Sequence, residues 1–283
     1  METEVKPAAT RLSTARSREL GEELRRARHR ARMSSGFVAG ALGWSLGKLS
    51  KLETGSRGTS PWEIGTLVGR LGADKPTRDR ILTIATEPDT GTFVRLHGRS
   101  SDDLPALYVH EQAARTITVY EPLAIPSLAQ TEPYSLALTG SKAVADARKS
   151  RQDRLLRPDG PDTVLYIHEL ALRMVVVGPE VMRDQMLHLT LMCASERMSP
   201  RLVPASAPTH AALRHPATLL TFDAPTKPLA YVETDTATVF HDAPEAIAAY
   251  NAKMRHLAGL ALTAEQTSDA FARWADAYDR QSR

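Results

Sequence analysis

The chain has 283 residues, of which 42% are hydrophobic and 24% are charged, and its formal net charge is +3. This length and composition are typical of a globular protein with room for two domains. No stretch approaches the ~20 apolar residues of a membrane helix, and the first residues lack the apolar block of a signal peptide, so we expect a cytoplasmic protein. The single cysteine, Cys193, excludes a disulfide framework and a zinc ribbon.

The net charge hides an asymmetry between the two ends of the chain. Residues 1–80 hold 16 Lys and Arg against 9 Asp and Glu, a balance of +7, whereas residues 81–283 hold 20 against 24, a balance of −4. A basic region is suited to DNA, because neutralising phosphates releases their counterions. A solvated charged surface would have the same balance.

The N-terminal part is predicted to be all-α. Residues 1–17 have no periodicity and predict a disordered arm, and five helical patterns follow over residues 18–86. The second pattern, in SSGFVAGALG, is capped by Ser34 or Ser35 and ends at Gly43. The third, in WSLGKLSKLETG, is capped by Ser45 and stopped by Gly55.

The C-terminal part is predicted to be α+β with a mixed, partly antiparallel sheet. Residues 87–103 gather Gly, Pro, Ser and Asp, which predicts a linker, and residues 104–283 form the second domain. The segment ALYVHEQAARTI is predicted to be helical. The predicted strands are TVLYIHE, RLVPA, TLLTF, LAYVET and ATVFH. Because short turns join the late strands, these are expected to pair antiparallel.

The second and third helices have the features of a tight corner. Ala39 is small where the helices would touch, and Gly43 can turn the chain. Apolar side chains point inward from both helices: Val38, Leu42, Leu49 and Leu52. The outward face of the third helix then consists of Leu46, Gly47, Ser50 and Lys51. This short face suits base edges and thymine methyl groups in a major groove.

The segment from Leu20 to Gly72, with LRRAR, VAGALG and LSKLETG, resembles the five-helix DNA-binding domain of the xenobiotic-response-element (XRE) family of helix-turn-helix regulators. The resemblance implies that Leu46, Gly47, Ser50 and Lys51 read bases. It implies phosphate contacts from Ser35, Ser45, Lys48 and Arg57. It also implies an ion pair between Arg28 and Glu53 inside the domain. Arg32 stands where the family usually has the glycine that ends the first helix.

The chain from about Leu104 to Tyr278 resembles the uncharacterised C-terminal domain of WhiJ-like regulators of sporulating, antibiotic-producing bacteria. The segments that carry the likeness are YEPLAIPSLAQTEPYSLAL, RQDRLL, HELALR, VGPEVMRDQMLHL and YVETDTATVF. The resemblance implies a partner, a small acidic protein encoded nearby. It implies no activity.

No catalytic, metal or cofactor site is predicted. HELALR begins like a zinc-protease motif, but Leu172 stands where that motif needs its second histidine. His210 and His215 are interpreted as hydrogen-bonded or exposed histidines rather than metal ligands. Candidate residues for a small ligand or a protein partner lie in or beside strand-like runs: Tyr166, Glu169, Arg173, Tyr231 and Glu233. A structural ion pair is the alternative for the charged members of this set.

These patterns predict a transcriptional regulator that binds double-stranded DNA as a homodimer and whose C-terminal domain binds a ligand or a partner protein. The apolar faces of AIAAYNAKMRHLAGLAL and of the last helix, with Phe271, Trp274 and Tyr278, are candidates for the dimer interface, unless they pack on their own sheet. The alternative function is a protein-interaction module, such as the antitoxin-like half of a two-protein system, with DNA binding secondary. An enzyme anchored on DNA is a third possibility.

Overall fold

A computed structural model describes residues 13–56, 58–98, 100–102 and 104–282 of the chain. The chain divides into two compact units, an N-terminal unit that ends at Thr90 and a C-terminal unit that begins at Gly91. The short segment Ala224–Lys227 groups with the N-terminal unit. Within the described ranges, every helix is too short or too polar to span a bilayer.

Five helices build the described part of the N-terminal unit. They are α1 (Ala15–Arg30), α2 (Ser35–Leu42), α3 (Leu46–Glu53), α4 (Pro61–Arg70) and α5 (Lys75–Thr86). Each follows a residue whose side chain accepts a hydrogen bond from the first turn: Thr14, Ser34, Ser45, Ser60 and Asp74. Such caps satisfy backbone donors that a helix end leaves unpaired. The all-α fold expected for this region is confirmed.

Helix α1 begins three residues before the predicted domain boundary. The hydroxyl of Thr14 accepts from the backbone N–H of Ser17 at 3.2 Å, and the Ser17 hydroxyl accepts from the N–H of Thr14 at 2.9 Å. This reciprocal pair is a capping box that starts the helix. Ala15 is fully buried, and the guanidinium of Arg16 donates to the carbonyl of Ile84 at 2.9 Å. Residues 15–17 are therefore part of the helical domain rather than of an arm, and residues 1–12 lie outside the described ranges.

The C-terminal unit is α+β, as predicted. Its elements are β1 (Thr92–Leu96), α6 (Pro105–Ala113), β2 (Thr116–Glu121), α7 (Glu132–Thr139), α8 (Lys142–Leu155), β3 (Asp162–His168), α9 (Glu169–Arg173), α10 (Pro179–Met192), β4 (Met198–Val203), β5 (Ala217–Thr221), β6 (Leu229–Glu233), β7 (Ala237–His241), α11 (Pro244–Leu260) and α12 (Ala264–Ser282). The seven strands form one sheet in the order β1-β7-β6-β5-β2-β3-β4.

The sheet is mixed. The neighbours β2, β3 and β4 pair parallel, and every other neighbouring pair is antiparallel. The parallel pairs are connected through helices, whereas turns of a few residues join β6 to β7, as the two types of pairing require. The expectation of a mixed, partly antiparallel sheet is confirmed.

Two strands were not predicted. Strand β1 lies inside residues 87–103, which the sequence suggested to be a linker, and it pairs with β7 from Thr92↔His241 to Leu96↔Ala237. Strand β2 occupies the end of the predicted helix ALYVHEQAARTI, where α6 stops at Ala113. Its β-branched run TITVYE joins the parallel and antiparallel halves of the sheet. Both strands form because they pair with segments far along the chain, and a local sequence pattern does not reveal such pairing.

The two faces of the sheet bury different sets of side chains. Tyr120, Tyr166 and Ala230 pack with Leu257 of α11 in one apolar cluster. Because side chains alternate along a strand, Tyr231 points to the opposite face. This opposite face carries the polar cluster of the unit.

Candidate functional site

A sharp corner joins α2 to α3. Gly43 ends α2 with a left-handed backbone, φ 65°, which a residue with a Cβ adopts only at a cost. The N–H of Trp44 donates to the carbonyl of Ala39 at 2.8 Å. The hydroxyl of Ser45 then accepts from the N–H of Lys48 at 3.1 Å and starts α3. The corner therefore turns within three residues, and α3 begins immediately after it.

Helix α3 has one apolar and one accessible face. Its Leu49 and Leu52 are buried, at 0% and 3% exposure, beside Val38 and Ala39 of α2. The accessible face carries the four residues predicted to read bases, all of them exposed: Leu46, Gly47, Ser50 and Lys51. This face offers a hydroxyl, an ammonium group and an apolar side chain, the groups that recognise base edges and thymine methyl groups.

An ion pair ties α1 to the end of α3. Arg28 donates two hydrogen bonds to the carboxylate of Glu53, at 2.7 and 2.8 Å, and a third to the carbonyl of Met33 at 3.0 Å. Both side chains of the pair are 9% exposed. The hydrogen bond to Glu53 raises the pKa of the Arg28 guanidinium above its usual value, against the opposing effect of burial. Glu53 therefore faces the interior of the domain and not the accessible surface.

Two glycines allow the backbone of α1 to touch the end of α3. A Cβ added to Gly21 would lie 2.5 Å from the carbonyl oxygen of Glu53. A Cβ added to Gly55, whose φ is +69°, would lie 2.5 Å from the backbone of Ser17. The hydroxyl of Ser17 also donates to the carbonyl of Gly55 at 2.7 Å. These contacts fix the position of α3 relative to α1.

Lys48 has partners inside the domain, which the sequence did not predict. Its ammonium group is hydrogen-bonded to the carboxylate of Glu63 on α4, and it lies 4.1 Å from the centroid of the Trp44 ring. Glu63 also accepts from the hydroxyl of Thr59. Only 19% of the Lys48 side chain is exposed. The ammonium group is therefore engaged by Glu63 and Trp44 within the fold, and no local spacing in the sequence indicates these partners.

The other predicted phosphate contacts lie near the helix starts. Ser35 is the first residue of α2 and is partly exposed, and Ser45 is the exposed cap of α3. Free backbone N–H groups and a partial positive charge at such helix starts favour anions. Arg57 lies outside the described residues.

Arg32 takes the conformation that a glycine would favour. It follows α1 with φ 56°, in the left-handed region, and its N–H donates to the carbonyl of His29 at 2.9 Å. Arg32 therefore has the left-handed backbone that the resemblance to the XRE family implies at this position, although the residue is not the usual glycine.

The C-terminal candidates do not form one site. Tyr166 is in the apolar cluster under α11, whereas Tyr231 and Glu233 line a cavity of about 140 Å³ on the opposite face of the sheet. Glu169 lines a separate cavity of about 310 Å³ beside Trp274, and it accepts from Arg173 at 3.0 Å. Alternation along the strands separates Tyr166 from Tyr231 and Glu233, and Glu169 and Arg173 lie on α9, where they form an ion pair.

A buried network of ion pairs adjoins the cavity of Tyr231 and Glu233. Arg148 donates to Asp102 at 2.8 Å and to the amide oxygen of Gln130 at 2.6 Å. Arg151 pairs with Asp102 and with Glu111, and it is 4% exposed. Burial alone would raise the pKa of Asp102, but the guanidinium groups of Arg151 and Arg148 outweigh it and hold that pKa below its usual value. Sequence reasoning missed this network, because its members come from three separate segments.

The predicted dimer helices bury most of their aromatic side chains within their own unit. Phe271 and Tyr278 of α12 are 0% and 2% exposed, and the hydroxyl of Tyr278 donates to the carbonyl of Leu172 at 2.6 Å. Trp274 is only partly exposed. These aromatic residues therefore stabilise the unit itself, which was the alternative to an interface.

Comparison with known families gives one match for each unit. A model described as a helix-turn-helix domain matches residues 19–81. A model described as a domain of unknown function (DUF5753) matches residues 104–273. A comparison with curated proteins found no match. The first match and the geometry of α2 and α3 identify a helix-turn-helix domain in the N-terminal unit, the kind of domain found in DNA-binding regulators. The second covers more than half of the chain, and the protein belongs to the DUF5753 family.

Proposed function

We propose that this protein is a sequence-specific transcriptional regulator of the XRE type that inserts α3 into the major groove of DNA. The observation that carries the proposal is the accessible face of α3, with Leu46, Gly47, Ser50 and Lys51, on a helix whose end is tied to α1 by the pair of Arg28 and Glu53. A helix fixed in this way presents its side chains to bases without reorganisation on binding.

Phosphate contacts position the domain in this proposal. Ser35 and Ser45 lie at helix starts, and Arg57 follows α3 in the sequence. Lys48 supports the surface instead, through Glu63 and Trp44. The balance of +7 in residues 1–80 supports electrostatic attraction to DNA.

The protein acts as a homodimer in this proposal, because one such domain reads only a few base pairs and a genome offers many competing sites. The C-terminal unit serves as the regulatory input, as in the WhiJ-like regulators that the sequence resembles, and responds to a small ligand or to a small acidic protein encoded nearby. Its balance of −4 over residues 81–283 disfavours a role in phosphate contact. A cytoplasmic location at the nucleoid follows from this function.

The test is selection of a target from random DNA by the full chain, followed by titration of that target. The double variant Ser50→Ala/Lys51→Ala should lose the preference for the selected target, at about 1–3 kcal/mol for each base contact removed. Lys149→Ala, a change of the same charge on the exposed face of α8, is the control and should bind like the wild type. Unchanged target binding by the double variant would contradict the placement of α3.

A further inference from the structure

The cavity of about 140 Å³ in the C-terminal unit is lined by charged groups on both sides. Glu121 of β2 and Glu233 of β6 line it from the sheet, and Arg148 and Arg151 line it from α8. Apolar side chains such as Val119, Leu128 and Leu138 complete the wall. A concave space with convergent polar groups beside apolar ones is a candidate site for a small ligand.

The two guanidinium groups are already occupied by other carboxylates. Arg148 is held by Asp102 and Gln130, and Arg151 is held by Asp102 and Glu111. Neither has an ion pair with Glu121 or Glu233 in the described part of the chain. The two arginines are therefore balanced mainly by Asp102 and Glu111, and Arg151 acts on Glu233 only through its electrostatic field.

Glu121 and Glu233 have few partners of their own. Glu233 accepts from the hydroxyl of Ser101, while no donor among the described residues is hydrogen-bonded to the carboxylate of Glu121. Lys253 of α11 acts on Glu121 electrostatically, but its ammonium group is hydrogen-bonded to the carbonyl of His215. Glu121 and Glu233 are partly exposed, and a carboxylate largely removed from water is costly unless it is paired or protonated.

Glu121 and Glu233 bind protons more tightly than ordinary carboxyl groups do. Burial, with the neighbouring Glu233, raises the pKa of Glu121 to about 8, and Lys253 opposes the shift only in part. Burial also raises the pKa of Glu233, against the opposing effects of Arg151 and Ser101. A bound cation would replace these protons.

We propose that this cavity binds a small organic cation, an alkylammonium group between Glu121 and Glu233 with its short alkyl chain against the apolar wall. An ammonium group has three donors, which match the oxygens of the two carboxylates and the hydroxyl of Thr218 that also lines the cavity. A metal ion fits less well, because no group of three or more metal-ligating side chains occurs among the described residues. The inference deepens the proposed regulatory role of the C-terminal unit, but binding itself does not depend on DNA.

The test is calorimetric titration of the full chain, without DNA, with n-butylamine and 1,4-diaminobutane. Both amines should bind with a ratio of one per chain. Equimolar n-butanol, which has the same shape without the charge, and Mg²⁺ or Ca²⁺ at matched ionic strength should not bind. Equal binding of the alcohol, binding of the metal ions alone, or no binding of either amine would overturn the proposal.

Amine binding by variants, and its dependence on pH, test whether the amine occupies this cavity. Glu121→Gln and Glu233→Gln keep the shape of the side chains and should weaken amine binding at least tenfold, whereas Glu196→Gln, an exposed carboxylate of the same unit, should not. For the wild type, binding should be about tenfold tighter at pH 9 than at pH 7, since protons compete with the amine for Glu121. Equal affinities of wild type and Glu121→Gln, or no change with pH, would place the amine elsewhere and refute the site.

A separate titration distinguishes this inference from the proposed function. DNA affinity for the selected target is measured with and without saturating 1,4-diaminobutane. A change in affinity that Glu121→Gln abolishes supports both proposals, because coupling between two sites requires binding at each. Amine binding with unchanged DNA affinity supports the cavity and contradicts regulation of DNA binding through this cavity.

Discussion

Arg28 and Glu53 join the end of α1 to the end of α3 through two parallel hydrogen bonds of 2.7 and 2.8 Å. The pair is separated by 25 positions in the chain and is nearly excluded from solvent. Glu53 is the last residue of α3, the helix that carries Ser50 and Lys51. The stability of the domain and the orientation of its reading surface therefore depend on the same two side chains.

Removal of one partner should be severe. Glu53→Ala leaves the Arg28 guanidinium buried and unpaired, which typically costs about 3–5 kcal/mol. We expect a corresponding fall in the free energy of unfolding of the N-terminal unit, measured by denaturant titration, and a loss of target binding at ambient temperature. The control is Glu22→Ala, which removes partly exposed pairs with Arg25 and Arg26 on the same helix and should change stability by less than about 0.5 kcal/mol. Similar effects of the two variants would contradict a structural role for the buried pair.

Gly21→Ala tests the close approach of α1 to α3. The new methyl group would lie 2.5 Å from the carbonyl oxygen of Glu53, so the two helices must separate. We expect a destabilisation of about 1–3 kcal/mol, typical of overpacking, and weaker DNA binding. Gly65→Ala in α4 is the matched control, because no atom lies within 4 Å of the added methyl group. That substitution should stabilise the helix by about 0.5–1 kcal/mol, and thermal unfolding of both variants measures the difference.

Arg32→Gly should stabilise the protein. Arg32 has φ 56°, a conformation that costs a residue with a Cβ about 1 kcal/mol and that glycine adopts freely. Glycine also increases the entropy of the unfolded chain, so we expect a net gain of about 0.5 kcal/mol and a higher thermal midpoint. Arg30→Gly, at the helical last position of α1, has the same loss of charge and should destabilise instead. A lower midpoint for Arg32→Gly would show that its side chain contributes more than its backbone costs.

The sequence predicts the N-terminal unit better than the C-terminal one for a physical reason. The caps Ser34, Ser45 and Ser60 and the turn at Gly43 are local signals, and each acts within a few residues of itself. Strand β2 has no such signal, since its place in the sheet depends on β3 and β5, which follow it far along the chain. Tertiary pairing then overrides the helical pattern that precedes it.

The same distinction applies to the candidate sites. The accessible face of α3 follows from helical spacing alone, so its four residues are found together. The partners of Lys48 and of Glu121 depend on the packing of separate elements, and no spacing in the sequence reports them. Tyr166 and Tyr231 looked equivalent on two predicted strands, but the register of the sheet points them to opposite faces.

Salt dependence distinguishes Lys48 from Arg57. Since Glu63 and Trp44 hold the ammonium group of Lys48, Lys48→Gln should leave the slope of log affinity against log salt unchanged. Arg57→Gln should lower that slope by about one, the expected effect of losing one phosphate contact. The slopes are measured by titration of the selected DNA at several salt concentrations. A reduced slope for Lys48→Gln would show that Lys48 leaves Glu63 when DNA binds.

The stability of the C-terminal unit should depend on pH through Glu121. Burial raises the folded-state pKa of this carboxyl to about 8, whereas in the unfolded chain it is expected near the usual value of 4.5. The folded state then binds the proton more tightly, so the contribution of Glu121 is fully present below pH 4.5 and is lost as the pH rises through 8.

Glu121→Gln is always uncharged, so its stability should not fall in this way as the pH rises. We therefore expect its thermal midpoint to rise relative to the wild type between pH 5 and pH 9 by several degrees, while Glu196→Gln runs parallel to the wild type. The comparison between variant and wild type cancels the titration of His168, His188 and His241, whose pKa values are lowered by burial and which act in the opposite direction. A constant difference in midpoint across this pH range would mean that Glu121 is ionised in the folded protein, and that Lys253 or water compensates its charge.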